Sequence, residues 1–389
     1  MKMIDIIKNE FKFFGRQKVD KIKVLSIFGT RPEAIKMAPV VRAMQQDDRF
    51  LPITVVTGQH REMLDQVLKI FKIVPEYDLN VMGKGQTLST ITNKVIIGLD
   101  TILENEQPNL VLVHGDTTTT FAAALSAFYH QIAIGHVEAG LRTWNKYSPF
   151  PEEMNRQMVD DLTDFYFAPT SQSAENLRKE NHASEKITVT GNTAIDALKM
   201  TVQDDYQNPE LNEIFDKGNK VVLVTMHRRE NQGEPMQRVF RAVRKVIDQH
   251  EGVEVVFPVH LNPKIQEMAQ KELGNDSRIH LIKPLDVIDF HNAIARSYFV
   301  MTDSGGVQEE APALNKPVLV LRDTTERPEG ITAGTLKLVG TEPQDVTNAM
   351  IELLENQSIY KKMASAKNPY GDGDASLKIL DEIAKSIKR

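Results

Sequence analysis

From Lys23 onward, short β-branched and apolar runs alternate with longer segments of helical period, and no other feature of the chain restricts its fold as much. A run apolar at every position has both faces covered, which is the situation of a strand in a parallel sheet with helices on either side. In the first half the expected strands are 23–28, 53–57, 110–113, 132–137, 165–168 and 187–190. The pattern breaks over 204–219, a polar stretch with Pro209, Gly218 and no sustained period. It restarts with strands at 221–225, 253–258, 299–301 and 318–321. The reading is α/β, with two Rossmann-like domains of parallel sheet facing across a cleft.

Length agrees with two domains, because 389 residues exceed what one hydrophobic core usually serves. The expected division is an extension at 1–21, a first domain at 22–203, a linker at 204–219, a second domain at 220–369 and a terminal helix within 370–389. From its residues alone that helix can pack on either half. A net charge of -6 argues against a general nucleic-acid partner. The chain has no cysteine, which excludes disulfides, thiolate catalysis and Cys-ligated zinc and fits a reducing, cytoplasmic setting. No apolar run is long enough to cross a bilayer, and Met1 to Asp20 lacks the apolar core of a signal peptide.

In open α/β sheets, ligands bind beyond the carboxyl ends of the strands, and the polar clusters lie there. Gly29-Thr30-Arg31-Pro32-Glu33 follows the first strand, with Lys36 one turn into the next helix. Gly58-Gln59-His60, His114-Gly115-Asp116-Thr117 and Glu138-Ala139-Gly140-Leu141-Arg142 follow later ones. In the second half, His227-Arg228-Arg229-Glu230-Asn231, His260 and the segment from Arg322 to Arg327 occupy equivalent places. Asp303-Ser304-Gly305-Gly306 opens a helix, where free N–H groups, the helix dipole and absent side chains suit a phosphate and Ser304 is placed to cap. The same turn is also an ordinary strand-to-helix connection. Neither a P-loop nor a Gly-x-Gly-x-x-Gly fingerprint is present, nor Gly-x-Ser-x-Gly.

Asp116, Glu138 and Glu152 stand on three separate strand-end loops. Each alone is equally a helix cap or an ion-pair partner. Three that converge can differ in protonation and exchange protons. Glu153 is expected to face solvent or to stabilise the helix start, and His136 to be a satisfied interior histidine. Arg31, Lys36, His227, Arg228, Arg229, His260, Arg322 and Arg327 supply donors, an arrangement suited to an anionic leaving group beside proton transfer. Spacing for a metal site is absent from these loops.

Six ordered motifs closely resemble the bacterial non-hydrolysing UDP-N-acetylglucosamine 2-epimerases: Gly29-Thr30-Arg31-Pro32-Glu33, His114-Gly115-Asp116-Thr117, His136 through Arg142, Pro151-Glu152-Glu153-Met154-Asn155-Arg156, His227 through Asn231, and Asp303 through Glu310. The resemblance runs from about Lys23 onward; the N-terminal extension departs from the family's usual start. It implies two domains of the glycosyltransferase B type, a final helix returning to the first domain, and interconversion of UDP-N-acetylglucosamine and UDP-N-acetylmannosamine without a cofactor. Asp116, Glu138 and Glu152 are then the acid/base candidates, and His227 is a catalytic-site residue. Ser304, Gly305, Gly306 and Glu310 match the UDP-binding segment, with Arg31, Lys36 and His260 near the phosphates or uridine. Gln59, Arg228 and Arg229 match positions used by an activating second UDP-N-acetylglucosamine, and a homodimer is implied. A hydrolysing relative, a glycosyltransferase of the same fold and a UDP-sugar sensor are the alternatives.

Overall fold

A computed structural model describes residues 21–58, 61–83 and 85–387 and shows two sheets, each built only from parallel pairs. The first contains β1 (Ile22–Phe28), β2 (Phe50–Val56), β3 (Tyr77–Asp78), β4 (Leu110–His114), β5 (Ala133–Val137), β6 (Phe165–Ala168) and β7 (Ile187–Val189), in spatial order β3-β2-β1-β4-β5-β6-β7. The second contains β8 (Lys220–Thr225), β9 (Val253–Pro258), β10 (Ile279–Ile282), β11 (Phe299–Thr302), β12 (Val318–Val320) and β13 (Leu336–Leu338), ordered β10-β9-β8-β11-β12-β13. Both are doubly wound, with the winding direction reversing between β1 and β4 and again between β8 and β11. Residues 1–20, and with them nearly all of the N-terminal extension, lie outside the described residues.

Side-chain alternation divides each sheet between two cores. Leu110 and Leu112 pack with the helix Arg31–Gln45 on one face, while Val111 and Val113 pack beneath the helices Leu88–Glu106 and Thr118–Tyr129 on the other. The second sheet repeats this: Val222, Val224, Phe299 and Met301 face one cluster and Val221, Leu223 and Val300 the other.

Three strands differ from the sequence expectation, since β3, β10 and β13 were not foreseen. Each is a sheet edge, where strands are short and half solvated, so the apolar run weakens. The polar stretch 204–219 also contains an element, the helix Pro209–Phe215 capped by Asn208. Its Leu211 and Ile214 join the second domain's core, and seven residues are too few to display a period. The last helix, Ala375–Ser386, buries Ile379, Leu380 and Ile383 in the first domain's cluster. Asp196 accepts the N–H groups of Ala375 and Ser376 at 3.2 and 2.8 Å, which satisfies the free amides at the start of that helix.

Candidate active site

The strand ends at both reversal points open onto one cavity of about 1250 Å³. From the first domain its walls take Arg31, Lys36, His114, Asp116, Glu138 and Glu152; from the second, Arg228, Glu230, Arg322, Glu326 and Arg327. Acids and cations thus meet across the domain boundary.

Local chemistry explains how the first wall is held. Thr30 and Glu33 form a reciprocal capping box, with Glu33 Oε2 accepting the N–H groups of Gly29 and Thr30 at 3.0 and 2.7 Å. Oε1 of the same buried carboxylate accepts the hydroxyls of Thr117 and Thr120 at 2.7 and 3.0 Å. Glu33 therefore ties the loop after β1 to the loop after β4. Behind Asp116, His136 lies fully buried between Asp160 Oδ1 at 2.6 Å and the Gly115 carbonyl at 2.8 Å, so it is an interior histidine that fixes the peptide ahead of the acid. Asn155 donates to the Asp116 carbonyl at 2.9 Å.

The three acids sit in different electrostatic surroundings. Asp116 is pushed up to about 6 by burial, opposed by Arg156 and helped by the charges of Glu138 and Glu152. Glu138 adopts a left-handed backbone, φ 69°, uncommon for a residue with a side chain. Burial works to raise its carboxyl, but Lys36, His114 and Arg327 prevail and hold it far below the usual range. Its Oε1 receives the Lys36 ammonium and the Asn192 amide, the latter at 3.2 Å. Asn192 also donates to Glu309 Oε2, at 2.7 Å, and Glu309 comes from the second domain and pairs with Arg327. Glu152 opens the helix Glu152–Leu162 at the cavity wall.

Glu153 departs from expectation. It is fully buried, and its carboxylate accepts the N–H groups of Thr143 and Trp144, each at 3.0 Å, together with Gln157 at 2.9 Å. Pointing inward from the first helical turn, it moors a loop whose Thr143, Asn145, Ser148 and Pro149 line the cavity.

On the second wall, Asp303 accepts the backbone N–H groups of His227 and Arg228 at 3.1 and 3.0 Å, and the Asn231 amide at 3.0 Å. This joins the loops after β8 and β11. Glu326, held down to about 2 by Arg327, Arg228 and Arg322 against the effect of its burial, stays ionised among them. Ser304 does not cap the helix Gly305–Ala313: its hydroxyl makes no capping bond, and its own N–H donates to Thr302 Oγ1 at 2.9 Å. Gly305 lies close to the Glu326 carboxylate: a Cβ there would stand 2.9 Å from Glu326 Oε1, so a larger residue would push that side chain aside.

Of the residues named from sequence, Asp116, Glu138, Glu152, Arg31, Lys36 and Arg228 line the cavity. Ser304, Gly305 and Gly306 are half-buried outside that lining, as is Glu310, whose carboxyl is pushed up to about 7 by burial and the neighbouring Glu309. His227 is half exposed, 3.4 Å from Asp303, and His260 is exposed; neither lines the cavity. Gln59 and the side chain of Arg229 lie outside the described residues. Arg156, Asn192, Glu309 and Glu326 went unassigned in the sequence reading. Only Arg156 left a signal, four positions after Glu152 on one helical face. Among the described residues no group of three or more His, Asp or Glu is placed to hold a metal ion.

Two open parallel sheets that present opposed charged walls at their reversal points define a two-domain α/β enzyme of the glycosyltransferase B type. The chain belongs to the UDP-N-acetylglucosamine 2-epimerase family, whose model matches residues 42–384, and so is an isomerase. It is 57% identical over 363 residues to the UDP-N-acetylglucosamine 2-epimerase of Bacillus subtilis, covering 93% of this chain and 95% of that one. Among solved structures, MnaA of S. aureus with UDP superposes with a TM-score of 0.87 at 55% identity, covering 94% of this chain and 96% of that one. The UDP-GlcNAc 2-epimerase of Neisseria meningitidis, bound to UDP-GlcNAc, gives 0.85 at 46%, covering 94% and 100%.

Proposed function

We propose that this protein interconverts UDP-N-acetylglucosamine and UDP-N-acetylmannosamine without consuming water, and that it supplies the latter for cell-surface polysaccharide. The observation that carries the reading is the opposition of Asp116, Glu138 and Glu152 on one wall to Arg228, Arg322 and Arg327 on the other. The C2 hydrogen has no adjacent carbonyl to stabilise a carbanion. The route that suits these residues removes that proton while the C1–O bond to UDP breaks, leaving a C1=C2 double bond in 2-acetamidoglucal.

Return of UDP to C1, with a proton delivered to the other face of C2, completes the exchange. Asp116 is suited to proton transfer near neutrality, Glu138 and Glu152 are the partner acids, and His227 assists at the rim. The arginines, Arg31, Lys36 and the helix N-terminus at Ser304, Gly305 and Gly306 stabilise departing UDP, with Glu310 and His260 toward the nucleoside. Closure of the domains keeps water from the intermediate.

The cavity exceeds the roughly 300–1,000 Å³ of ordinary ligand sites, which supports room for a second, activating UDP-N-acetylglucosamine beside Arg228. We place the enzyme in the cytoplasm as a homodimer; Ile97, Phe128 and Tyr129, large apolar side chains exposed on the helices Leu88–Glu106 and Thr118–Tyr129, support a self-association surface. Incubation with UDP-N-acetylglucosamine alone in deuterated water tests the whole reading. Epimerised UDP-sugar carrying deuterium at C2 is expected. Unlabelled product would sink the elimination route, and free N-acetylmannosamine with UDP would identify a hydrolase.

A further inference from the structure

Glu138 has one oxygen in the protein's grasp and one left over. Oε1 takes the Lys36 ammonium and the Asn192 amide, whereas Oε2 has no hydrogen bond among the described residues and faces His114 Nε2 at 3.8 Å. That distance is too long for a hydrogen bond and short enough to close with a small movement.

His114 ends β4 at the reversal point and is 3% exposed, and neither of its ring nitrogens has a hydrogen-bond partner among the described residues. Burial, aided by Lys36 and His136 and opposed by Glu138, holds the ring's pKa down to about 3, so it is neutral and carries one N–H. A buried N–H without an acceptor is costly and is usually found only where a role compensates.

The space between the two groups is kept open. Gly115 has φ +68°, a conformation that favours glycine, and a Cβ there would come within 3.4 Å of Glu138 Oε2. While Lys36 holds Glu138, the carboxylate is too weak a base to take a proton from carbon. Lys36 also lines the cavity, where the diphosphate of a nucleotide sugar competes for its ammonium.

We propose that His114 is a positioning residue for Glu138, its ring N–H accepted by Oε2 when the substrate's diphosphate draws Lys36 away. The inference rests on the cleft being the nucleotide-sugar site. It makes Glu138 basic only with substrate seated, and it fixes the freed carboxylate in one orientation toward the sugar.

Two variants of the full chain test it, His114→Leu, which fills the space without a donor, and His114→Gln, whose amide nitrogen reaches the place of Nε2. The Leu variant is expected to lose roughly tenfold or more in kcat, with UDP affinity within about twofold of wild type, and Gln to recover most of the loss. Wild-type kcat in the Leu variant, or equal losses in both, would overturn the proposal. Should the Leu variant not fold, ring-nitrogen NMR of wild type, assigned with the Gln variant, decides: a protonated Nε2 that shifts on adding UDP-N-acetylglucosamine supports it, and a protonated Nδ1 refutes it. A wild type that neither binds UDP nor consumes UDP-N-acetylglucosamine would bring down the functional reading itself, and this proposal with it.

Discussion

Arg156 lies 2.9 Å from Asp116, yet burial still pushes the aspartate's pKa up to about 6. A guanidinium so close would ordinarily pull a carboxylate down, and here burial with two neighbouring acids outweighs it. The pair is therefore a tuned acid rather than a simple ion pair, and its tuning can be measured.

If Asp116 is the group that takes the C2 proton of UDP-N-acetylglucosamine, with Glu138 serving the opposite face, it must be ionised, and kcat/KM for that substrate is expected to fall as pH drops through about 6. Arg156→Gln removes a charge that lowers this pKa, so the midpoint of the limb should move upward. A pH–rate series on the two proteins checks both points, and a downward shift would contradict the assignment.

The same raised pKa bears on stability. The folded protein binds this proton more tightly than the unfolded chain, so the associated stability is complete below the ordinary aspartate range and is lost as pH rises through about 6. Asp116→Asn should thus be more stable than wild type at pH ~7, by on the order of 1–3 kcal/mol, and show little gain at pH ~4, while activity drops roughly a hundredfold or more. Urea melts at the two pH values provide the comparison.

Lys36 and Glu138 are buried partners, and removing either leaves the other without its nearest counter-charge, with Glu309 beside Lys36 at 3.8 Å or the Asn192 amide beside Glu138 at 3.2 Å in partial compensation. Lys36→Met and Glu138→Gln are each expected to destabilise the fold, and the double variant to lose less than the sum. A coupling of about 1 kcal/mol or more in a double-mutant cycle is the expected result, and simple additivity would show the pair to be energetically idle.

Glu153→Ala strands two backbone N–H groups and frees the loop that carries Thr143, Asn145 and Ser148 to the cavity. A stability loss of roughly 2 kcal/mol is expected, with KM rising more than kcat falls. Denaturant melts and steady-state kinetics separate the two effects.

If the exposed face on the helices Leu88–Glu106 and Thr118–Tyr129 joins two copies, Phe128→Glu should yield a monomer by sedimentation while each chain remains folded. An unchanged sedimentation coefficient would place the contact elsewhere.

The central strands were readable because a strand covered on both faces must be apolar throughout, as in Leu110 to Val113. The edges were not, since Leu336–Leu338 buries one residue in three and carries Lys337 between its leucines. Asp116 and Glu138 could be found because each follows a strand, and Glu152 because a proline-bounded loop leads into its helix, although the structure puts Glu138 and Glu152 on one connection and not on separate ones. Asn192 could not, because its partners Glu138 and Glu309 are 54 and 117 positions away in the chain, and the contacts that carry Glu309 and Glu326 across the site, to Asn192 and Arg228, likewise span 117 and 98 positions that only folding brings together. The inward turn of Glu153 was equally hidden, as adjacent glutamates at a helix start look alike until the loop above them is placed.

Asp196's grip on the final helix has a mechanical meaning. The polypeptide passes from one lobe to the other twice, over 202–208 and again over 365–374, before Ala375–Ser386 is fastened beside Arg31–Gln45. Two such pins act like the paired hinges of a door: swinging about the line that joins them is cheap, whereas sliding or twisting drags both against packed side chains. Under the closure proposed above, lobes pinned in this way would return in register, so that the carboxylates of the first leaf meet the arginines of the second at every cycle.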